Sequence, residues 1–471
     1  GARLSALDIM PVNKKLIINC NVGETRFALL EDDQVSEIRL FRDHKPSYVG
    51  AIYLGRVIRV SREFQAAFVQ LSKELTGFLP IKNMPKRSGK KIKDLTTALH
   101  EGERIIVQVT ADAAPEKSLK LSGRIELIST ALVVHPFRSG SFVSSRIKNP
   151  AKREELKKFG ASLSIDDIGI TFRTDAESLP LEQLKGTANN LIKNWNDISK
   201  NQASQKCPKL LTQGPDPIEQ IMRDYSTTDL TEILIDHAGA LKTGIFWAKT
   251  FAPSLINKIT HYTDKESIFS HYDVDDALEQ ISAVNISTKS GSWITFEKTE
   301  AMTVIDVNMG NAQISGDNEV QIFAINREAA REIFRQFRLR GTGGIIIIDF
   351  INMINKGNIK SLLQFIDELI LSDPMPLQRG NISSLGLLEI SRKSRQQDLD
   401  SYLLKKIDPK ETISTKCLFL LRNAEKDAGK NPGKPVIILV TKQQKKWFEK
   451  HSIIFDQFQR RTHASLKMEL S

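Results

Sequence analysis

The sequence predicts an α/β protein built from several subdomains rather than around one core. Its 471 residues are more than a single ordinary core holds and suggest about three or four subdomains. Residues 295–370 alternate strand, helix, strand and helix, which is typical of a right-handed crossover in a largely parallel sheet. Short apolar runs between residues 52 and 110 predict a small OB-type β-barrel instead.

Local apolar patterns predict the elements in chain order. Residues 16–38 predict two or three strands joined by tight turns. The barrel strands are expected at 52–60, 66–71, 77–80 and 104–110, with a basic loop at 82–93 and a helical stretch at 94–100. After the barrel, we expect a helix at 152–159, a strand at 168–173, a helix at 181–200, a linker at 206–216 and a strand at 229–235. A polar linker after residue 391 precedes a small terminal unit with a strand at 436–441 and one or two helices.

The charge balance favours a polyanionic partner. Lysine and arginine number 67 against 56 aspartate and glutamate residues, a net charge of +11. Such an excess is typical of nucleic-acid binding, although a basic enzyme without that partner is an equally good interpretation. No apolar run approaches the ~20 residues of a membrane-spanning helix, and the N-terminus has no signal-peptide core. We therefore expect no membrane span.

The three cysteines argue against both a disulfide framework and a cysteine zinc site. Cys20, Cys207 and Cys417 lie far apart, without a CxxC pair or a companion histidine. This spacing fits a reducing, cytoplasmic setting.

Two strand-end aspartates are the main candidates for chemistry. Asp306 and Asn308 end one apolar strand and share a face because side chains alternate along it. Asp349 ends a second strand, rich enough in isoleucine to be buried. A helix at 319–340 connects the strands, which places both aspartates at the same carboxyl edge. Two carboxylates and an amide oxygen suit Mg²⁺, which can activate water for attack on a phosphate. A single aspartate there would more simply cap a helix or turn, but the pair favours the metal.

The connecting helix also carries several arginines. Arg338 and Arg340 lie nearest the second strand and are expected to contact RNA phosphates. The alternative interpretation is an ordinary solvated helix face.

These residues together resemble the ribonuclease E/G family. Residues 299–308 read TEAMTVIDVN and residues 335–351 read RQFRLRGTGGIIIIDFI, which are similar to the two acidic motifs of that family. Shorter matches are GFLP at 77–80, FSHY at 269–272 and GLLE at 386–389. The resemblance covers about residues 14–460, and the two acidic motifs together are highly specific.

The resemblance implies an architecture. It assigns 14–48 and 218–281 to a split ribonuclease-H-like subdomain, 49–121 to an OB-fold RNA-binding barrel, 122–217 to a 5′-sensor region and linker, 282–400 to a DNase-I-like catalytic subdomain, and 412–471 to a small C-terminal α/β domain.

The resemblance also implies an activity, the cleavage of single-stranded RNA to leave 5′-phosphate ends. Its role would be RNA processing or decay in a bacterial cytoplasm. Asp306 and Asp349 would bind Mg²⁺, for which Mn²⁺ can substitute, and Asn308 would support the catalytic site.

The family's RNA-binding positions also have matches in this sequence. Arg173 and Thr174 would clamp a 5′-monophosphate, through a guanidinium fork and a hydroxyl. The RNA path would further include two aromatic residues that meet a base, Phe68 and Phe78, and two basic ones, Lys117 and Arg146. For Phe78, a position in the barrel core is the alternative.

Two departures from the family pattern affect these expectations. Residues 393–416 contain no cysteine where the family has a CPxC-type zinc link, so no structural zinc is expected, and any homo-oligomer would not be bridged by zinc. Ser384 and Leu385 replace an arginine and an aromatic residue, so one RNA contact is lost. The second hypothesis is therefore a catalytically weak RNA-binding relative that acts as a chaperone or assembly factor. A third, a DNA nuclease, is disfavoured by the barrel.

Overall fold

The computed structural model describes most of the chain. The described residues are 13–84, 99–112, 118–163, 167–200, 205–227, 229–310, 318–393, 399, 403 and 412–471. The chain divides into two compact units, one of residues 45–261 and the other of residues 1–44 with 262–471. Among the described residues, no helix combines the length and apolarity needed to cross a bilayer.

The N-terminal segment is an antiparallel meander. Its strands are β1 (Lys14–Asn21), β2 (Glu24–Glu31) and β3 (Gln34–Arg42). Asp32 and Asp33 both have positive φ, as two-residue hairpin turns that match the strand twist require. The expectation of two or three strands here is confirmed.

A closed five-stranded barrel follows. Its strands are β4 (Ile52–Ser61), β5 (Ala66–Gln70), β6 (Thr76–Pro80), β7 (Arg104–Ala111) and β8 (Leu119–Ser122). They run in the order β4-β5-β6-β8-β7, and β7 closes the barrel by pairing with β4. Alternate apolar side chains such as Val69, Leu79 and Leu121 fill the interior. The predicted barrel is confirmed, while most of the expected basic loop and helix at 82–100 lies outside the described residues.

A smaller α/β region follows the barrel. Its strands are β9 (Leu127–Ile128), β10 (Leu132–His135), β11 (Gly140–Val143) and β12 (Gly169–Phe172), and its helices are α1 (Pro150–Leu163) and α2 (Leu181–Ser199). The sheet order is β11-β12-β10-β9, and β11 and β12 are parallel. Phe172, Leu156 and Leu184 join sheet and helices in one core. The predicted strand and both predicted helices of this region are confirmed.

The proline-rich stretch at 206–216 is not simply a linker. Within it β13 (Lys209–Thr212) pairs antiparallel with β4, which corrects the sequence-based expectation. The rest of this unit consists of α3 (Pro217–Tyr225), β14 (Leu230–Ile235), α4 (Ala238–Phe251) and β15 (Ile259–His261). Strands β14 and β15 are parallel, and the strand expected at 229–235 is confirmed.

A six-stranded sheet carries the two candidate aspartates. Helices α5 (Ile268–His271) and α6 (Val274–Ile281) precede its strands β16 (Asn285–Ser287), β17 (Trp293–Lys298) and β18 (Met302–Asn308). Then come α7 (Asn318–Arg340), β19 (Gly344–Asp349), α8 (Lys356–Ser372), β20 (Leu377–Ile382) and β21 (Leu387–Arg392). The order is β16-β17-β18-β19-β21-β20. Residues of α7 and α8 pack on one face, where Ile305, Phe337 and Ile348 belong to the core.

This sheet is mixed rather than largely parallel. Only β18 and β19, which the helix α7 connects, run in parallel. The remaining neighbours are antiparallel. Short turns join β16 to β17, β17 to β18 and β20 to β21, and β21 returns antiparallel beside β19. The expectation of a largely parallel sheet was therefore wrong, although the connection that places the two aspartates was correctly predicted.

The C-terminal residues form a small α/β element of their own. They comprise α9 (Ile413–Lys430), β22 (Val436–Val440), α10 (Lys442–Lys450), α11 (Ile453–Thr462) and β23 (Leu466–Leu470). Strands β22 and β23 pair in parallel, over a core that includes Leu421, Phe448 and Phe458. The predicted strand and helices are confirmed here.

Candidate active site

Asp306 and Asp349 are direct neighbours on the two parallel strands. The register of β18 and β19 pairs Asp306 with Asp349. Adjacent strands are about 4.8 Å apart, so the two carboxylates are held side by side. Ile305 and Ile348 point into the core beneath α7, and the alternation along each strand therefore turns the aspartates to the open face. Both aspartates are exposed, as a site for a charged substrate requires.

Hydrogen bonding and charge make this pair suited to a cation. The Asn308 Nδ2 donates to Asp306 Oδ2 at 2.8 Å, which fixes the orientation of that carboxylate. Partial desolvation, together with the negative charge of Asp306, raises the pKa of Asp349 above its ordinary value. Two carboxylates that repel one another in this way are stabilised when a cation lies between them.

The donor set fits Mg²⁺ better than zinc. Two carboxylates with an amide oxygen nearby are hard oxygen ligands, and Mg²⁺ commonly takes one or two carboxylates with water and phosphate oxygens. Across the described part of the chain, no three histidine, cysteine or acidic side chains gather as a closed metal site would require. The residues present therefore match an open, water-rich magnesium site.

The open face around the pair contains residues that the sequence reasoning missed. Trp293 lies opposite Asn308, and Thr295 lies opposite Asp306. On the other side, Leu387 lies opposite Asp349. The signal was available, since Ile294 and Phe296 are apolar and alternation along the strand turns Trp293 outward.

Arg338 and Arg340 do not line this face. Arg338 makes a two-pronged ion pair with Glu31 at 2.8 and 3.1 Å. Arg340 is only 5% exposed and donates to the backbone oxygens of Gln280 and Ala283. Both guanidinium groups are engaged by the protein, and we do not include them in the proposed RNA path.

Phe68 and Phe78 lie next to each other on the outer surface of the barrel. They are paired across β5 and β6, with ring centroids 5.7 Å apart in an edge-to-face arrangement. Each is half-buried, while their neighbours Val69 and Leu79 fill the core. The register continues to Arg59 on β4 and to Lys120 on β8, which flank the aromatic pair with positive charge. Lys117, also expected on the RNA path, lies outside the described residues.

The sequence did not predict this flanking pair of cations. A register shift between Val57 and Arg59 on β4 places Arg59 opposite Phe68. Such a bulge depends on the partner strand and leaves no local signal.

Arg173 and Thr174 lie at the end of β12. The Arg173 Nη1 donates to the carbonyl of Ser129 at 2.7 Å, which holds the guanidinium in place. Thr174 is exposed and begins a short 3₁₀ turn. The exposed Arg146 lies just beyond the end of β11. At that end, the Ser144 backbone amide donates a hydrogen bond to the Phe172 carbonyl and so joins β11 to β12. The structure therefore brings Arg146 to the same sheet edge as Arg173.

Comparison with known proteins identifies families and relatives to which this chain is similar. A sequence model described as the Ribonuclease E/G family matches residues 126–395, and one for the S1 RNA binding domain matches residues 48–122. The chain is 29% identical to Ribonuclease G of Escherichia coli (strain K12) over 423 residues, which cover 87% of this chain and 86% of the relative. It is 30% identical to Ribonuclease G of Haemophilus influenzae over the same shares. Ribonuclease E of Escherichia coli (strain K12) is 32% identical over 81% of this chain but only 37% of its own length.

Proposed function

The chain belongs to the ribonuclease E/G family, and we propose that it is an endoribonuclease that uses Mg²⁺ to cleave single-stranded RNA and leave 5′-phosphate ends. The observation that carries this proposal is the in-register pair of Asp306 and Asp349 on the open face of the sheet. Its relatives are named Ribonuclease G and Ribonuclease E, and its barrel lies in the segment that matches the S1 RNA binding domain. A role in RNA processing or decay follows from this activity.

The residues of the site have distinct tasks. Asp306 and Asp349 would bind the metal, and Asn308 orients Asp306 through the 2.8 Å hydrogen bond. When bound there, Mg²⁺ would polarise the phosphodiester and make a bound water more acidic, and Mn²⁺ could take its place. Water attack on phosphorus that expels the 3′-oxygen leaves the phosphate on the 5′ end of the downstream product. Because the aspartates face solvent, an extended strand can reach them without unfolding the sheet.

The barrel supports a preference for single-stranded RNA. Phe68 and Phe78 present aromatic surface between the cations Arg59 and Lys120. Unpaired bases stack on aromatic side chains, and phosphates pair with neighbouring cations, whereas bases in a duplex are already stacked. We propose that this surface binds the RNA strand.

A preference for 5′-monophosphorylated RNA is the finer part of the proposal. Arg173, held by Ser129, and the adjacent Thr174 hydroxyl would grip one terminal phosphate, with Arg146 at the same edge. A triphosphate would be too bulky for such a clamp, and a 5′-hydroxyl would offer no charge. The split ribonuclease-H-like and DNase-I-like subdomains, with the boundaries given above, are likewise proposals.

One observation favours the second hypothesis, a weakly catalytic RNA-binding relative. Leu385, at the turn between β20 and β21, is 81% exposed in a position where the family has an aromatic residue. Its neighbour Leu387 lies opposite Asp349, so the lost contact concerns this site. Such a protein would bind RNA but cleave it slowly even with Mg²⁺.

Cleavage of a labelled single-stranded RNA, with Mg²⁺ or with chelator, tests the proposal. Asp306→Asn and Asp349→Asn should each lower the cleavage rate by more than the ~10–100-fold that loss of an outer-shell partner costs. RNA binding should stay within a few-fold of wild type, because the barrel is unchanged. Asp427→Asn, which removes the same charge from the exposed face of α9, is the control. Near wild-type cleavage by either site variant would refute the assignment, and binding without cleavage by the wild type would favour the second hypothesis.

A further inference from the structure

Trp293 is an exposed indole beside the two aspartates. It begins β17, where the register pairs it with Asn308, and the next outward position, Thr295, is paired with Asp306. Directly opposed residues on antiparallel strands share a face, with Cα atoms about 4.5–5.5 Å apart. The indole is therefore the direct neighbour of Asn308 and the diagonal neighbour of Asp306, which is proposed to hold the metal.

The backbone around the ring fixes its position. Gly310, two residues after Asn308, has φ of +58°. A Cβ built on Gly310 would lie 2.8 Å from Cε3 and 3.0 Å from Cζ3 of Trp293, so the ring packs directly on the glycine backbone. With Ser292 and Ile294 buried on the opposite side of the strand, Trp293 cannot turn inward. The ring is supported by backbone from below and remains 40% exposed.

A phosphodiester bound at the aspartates carries a nucleoside on each side. On the open face, Thr295 lies beside Asp306 on the β17 side and Leu387 lies beside Asp349 on the β21 side, while Trp293 is the next outward residue of β17, beside Asn308. Of these, only the indole offers a flat π surface on which any base can stack. The carboxylates themselves repel phosphate, so an uncharged stacking surface would add affinity where charge cannot.

We propose that Trp293 stacks on the base of a nucleotide next to the scissile phosphate and positions the RNA strand for cleavage. This inference rests on the proposed endoribonuclease activity and adds a substrate-positioning residue to it. Stacking of this kind tolerates any base, so the contact does not select a sequence. It requires only that a base is present and unpaired, so abasic or double-stranded RNA would not make it.

An abasic scan tests this contact. A short single-stranded RNA with one cleavage site is made with a single abasic nucleotide at each position around that site. For the wild type, one flanking abasic position should lower kcat/KM by about five- to a hundred-fold, as expected for the loss of one stacked base. Trp293→Ala should lower kcat/KM on the intact RNA by a similar factor and should no longer respond to that abasic position. Trp293→Phe should keep most of the response.

A binding measurement complements the rates. With 2-aminopurine at the position that the scan identifies, and chelator present to prevent cleavage, emission should be quenched on binding the wild type but not Trp293→Ala. Trp293→Leu keeps apolar bulk over Gly310, so it should behave like the alanine variant if stacking matters and like the wild type if only packing does. Phe419→Ala, which removes another exposed aromatic ring, should change neither readout.

The outcomes separate this inference from the proposed function. If the wild type fails to cleave RNA, the proposed function fails, and the abasic RNAs are then compared by binding alone. If the wild type cleaves but responds equally to every abasic position, the inference is overturned. It is also overturned if Trp293→Leu matches the wild type in both readouts.

Discussion

At the residue scale, Arg173 is held by a contact within the protein that suits its proposed role as a phosphate clamp. One of its guanidinium nitrogens donates to the Ser129 carbonyl at 2.7 Å, and Ser129 itself is buried. A guanidinium has five N–H donors, so this bond restrains the side chain while leaving donors that can form a fork toward a phosphate. The hydroxyl of Thr174 adds a further donor next to it. A restrained group loses less conformational entropy when it binds.

The first residue-scale prediction concerns Arg173→Ala. The wild type should cleave 5′-monophosphorylated RNA faster than the same RNA with a 5′-hydroxyl or a 5′-triphosphate. Loss of charge-assisted hydrogen bonds should reduce this advantage by roughly ten- to a hundred-fold at low substrate concentration. The rate on 5′-hydroxyl RNA should not change, since that substrate does not use the clamp. Lys157→Ala, on the exposed face of α1, is a charge-matched control. Equal wild-type rates on the 5′-monophosphate and 5′-hydroxyl RNAs would mean that no working sensor exists.

Single residues differ in how far the sequence predicts their roles. Asp306 and Asp349 could be predicted as a pair because each ends an apolar strand and one helix connects the strands. Arg338 could not be predicted, since its partner Glu31 lies about three hundred residues earlier. Arg340 is buried against Phe296, 4.7 Å from the ring centroid. Local spacing reports the direction of a side chain but not the distant group that it meets.

At the element scale, strands with a local apolar pattern were predicted correctly, and features that depend on distant residues were not. The barrel strands β4 to β7, together with β18 and β19, have strong apolar patterns of their own, whereas the four-residue strand β8 was not predicted. The sequence around β13 predicts a linker because Pro208 and Pro215 lie on either side of the strand, whereas its pairing with β4 depends on tertiary structure. The mixed character of the six-stranded sheet was likewise missed, since strand direction depends on connections that short apolar runs do not specify.

The sheet of β9 to β12 gives an element-scale prediction of pH dependence. Burial, followed by the charge of Arg138, lowers the pKa of His135 from 6.5 to about 4. The Glu126 carboxylate, 3.8 Å from Nδ1, would oppose this effect, but its own pKa is raised by burial. The neutral ring bonds Thr171 Oγ1 at 2.8 Å and so joins β10 to β12. In the unfolded chain His135 takes up a proton near pH 6.5, and in the folded protein it does so near pH 4. The stability that the neutral ring contributes is therefore fully present above pH 6.5 and is lost as the pH falls from 6.5 to 4.

The measurement is urea unfolding of the protein at pH 7.5 and pH 5. The free energy of unfolding of this region should fall by about 2 kcal/mol between the two values because of His135. His135→Gln, whose amide can still bond Thr171, should flatten that part of the pH dependence. His261→Gln, at an exposed position on β15, should not. An unchanged pH profile in His135→Gln would show that the buried histidine is not responsible.

At the scale of the whole molecule, the proposed tasks are divided between the two units. The barrel and the clamp belong to residues 45–261, and the aspartate pair belongs to the other unit. Each unit has its own core, so each feature is built from local strand registers. Because of this division, separate motifs in the sequence point to each proposed site. Contacts that depend on residues outside the motif, such as the flanking of Phe68 and Phe78 by Arg59 and Lys120, required the structure.

The last prediction is that assembly of this protein is independent of zinc. Residues 393–416 contain no cysteine, and Cys417 is fully buried in the core of the C-terminal element. Burial raises the pKa of the Cys417 thiol to about 12, whereas a zinc ligand must be a thiolate. Metal analysis of the purified protein should therefore show no stoichiometric zinc. Its mass in sedimentation should be the same with and without a zinc chelator, and Cys417→Ala should leave that mass unchanged. One tightly held zinc per two chains, or a mass that halves on chelation, would contradict the prediction of zinc-independent assembly. The zinc ligands would then have to come from residues other than a cysteine pair.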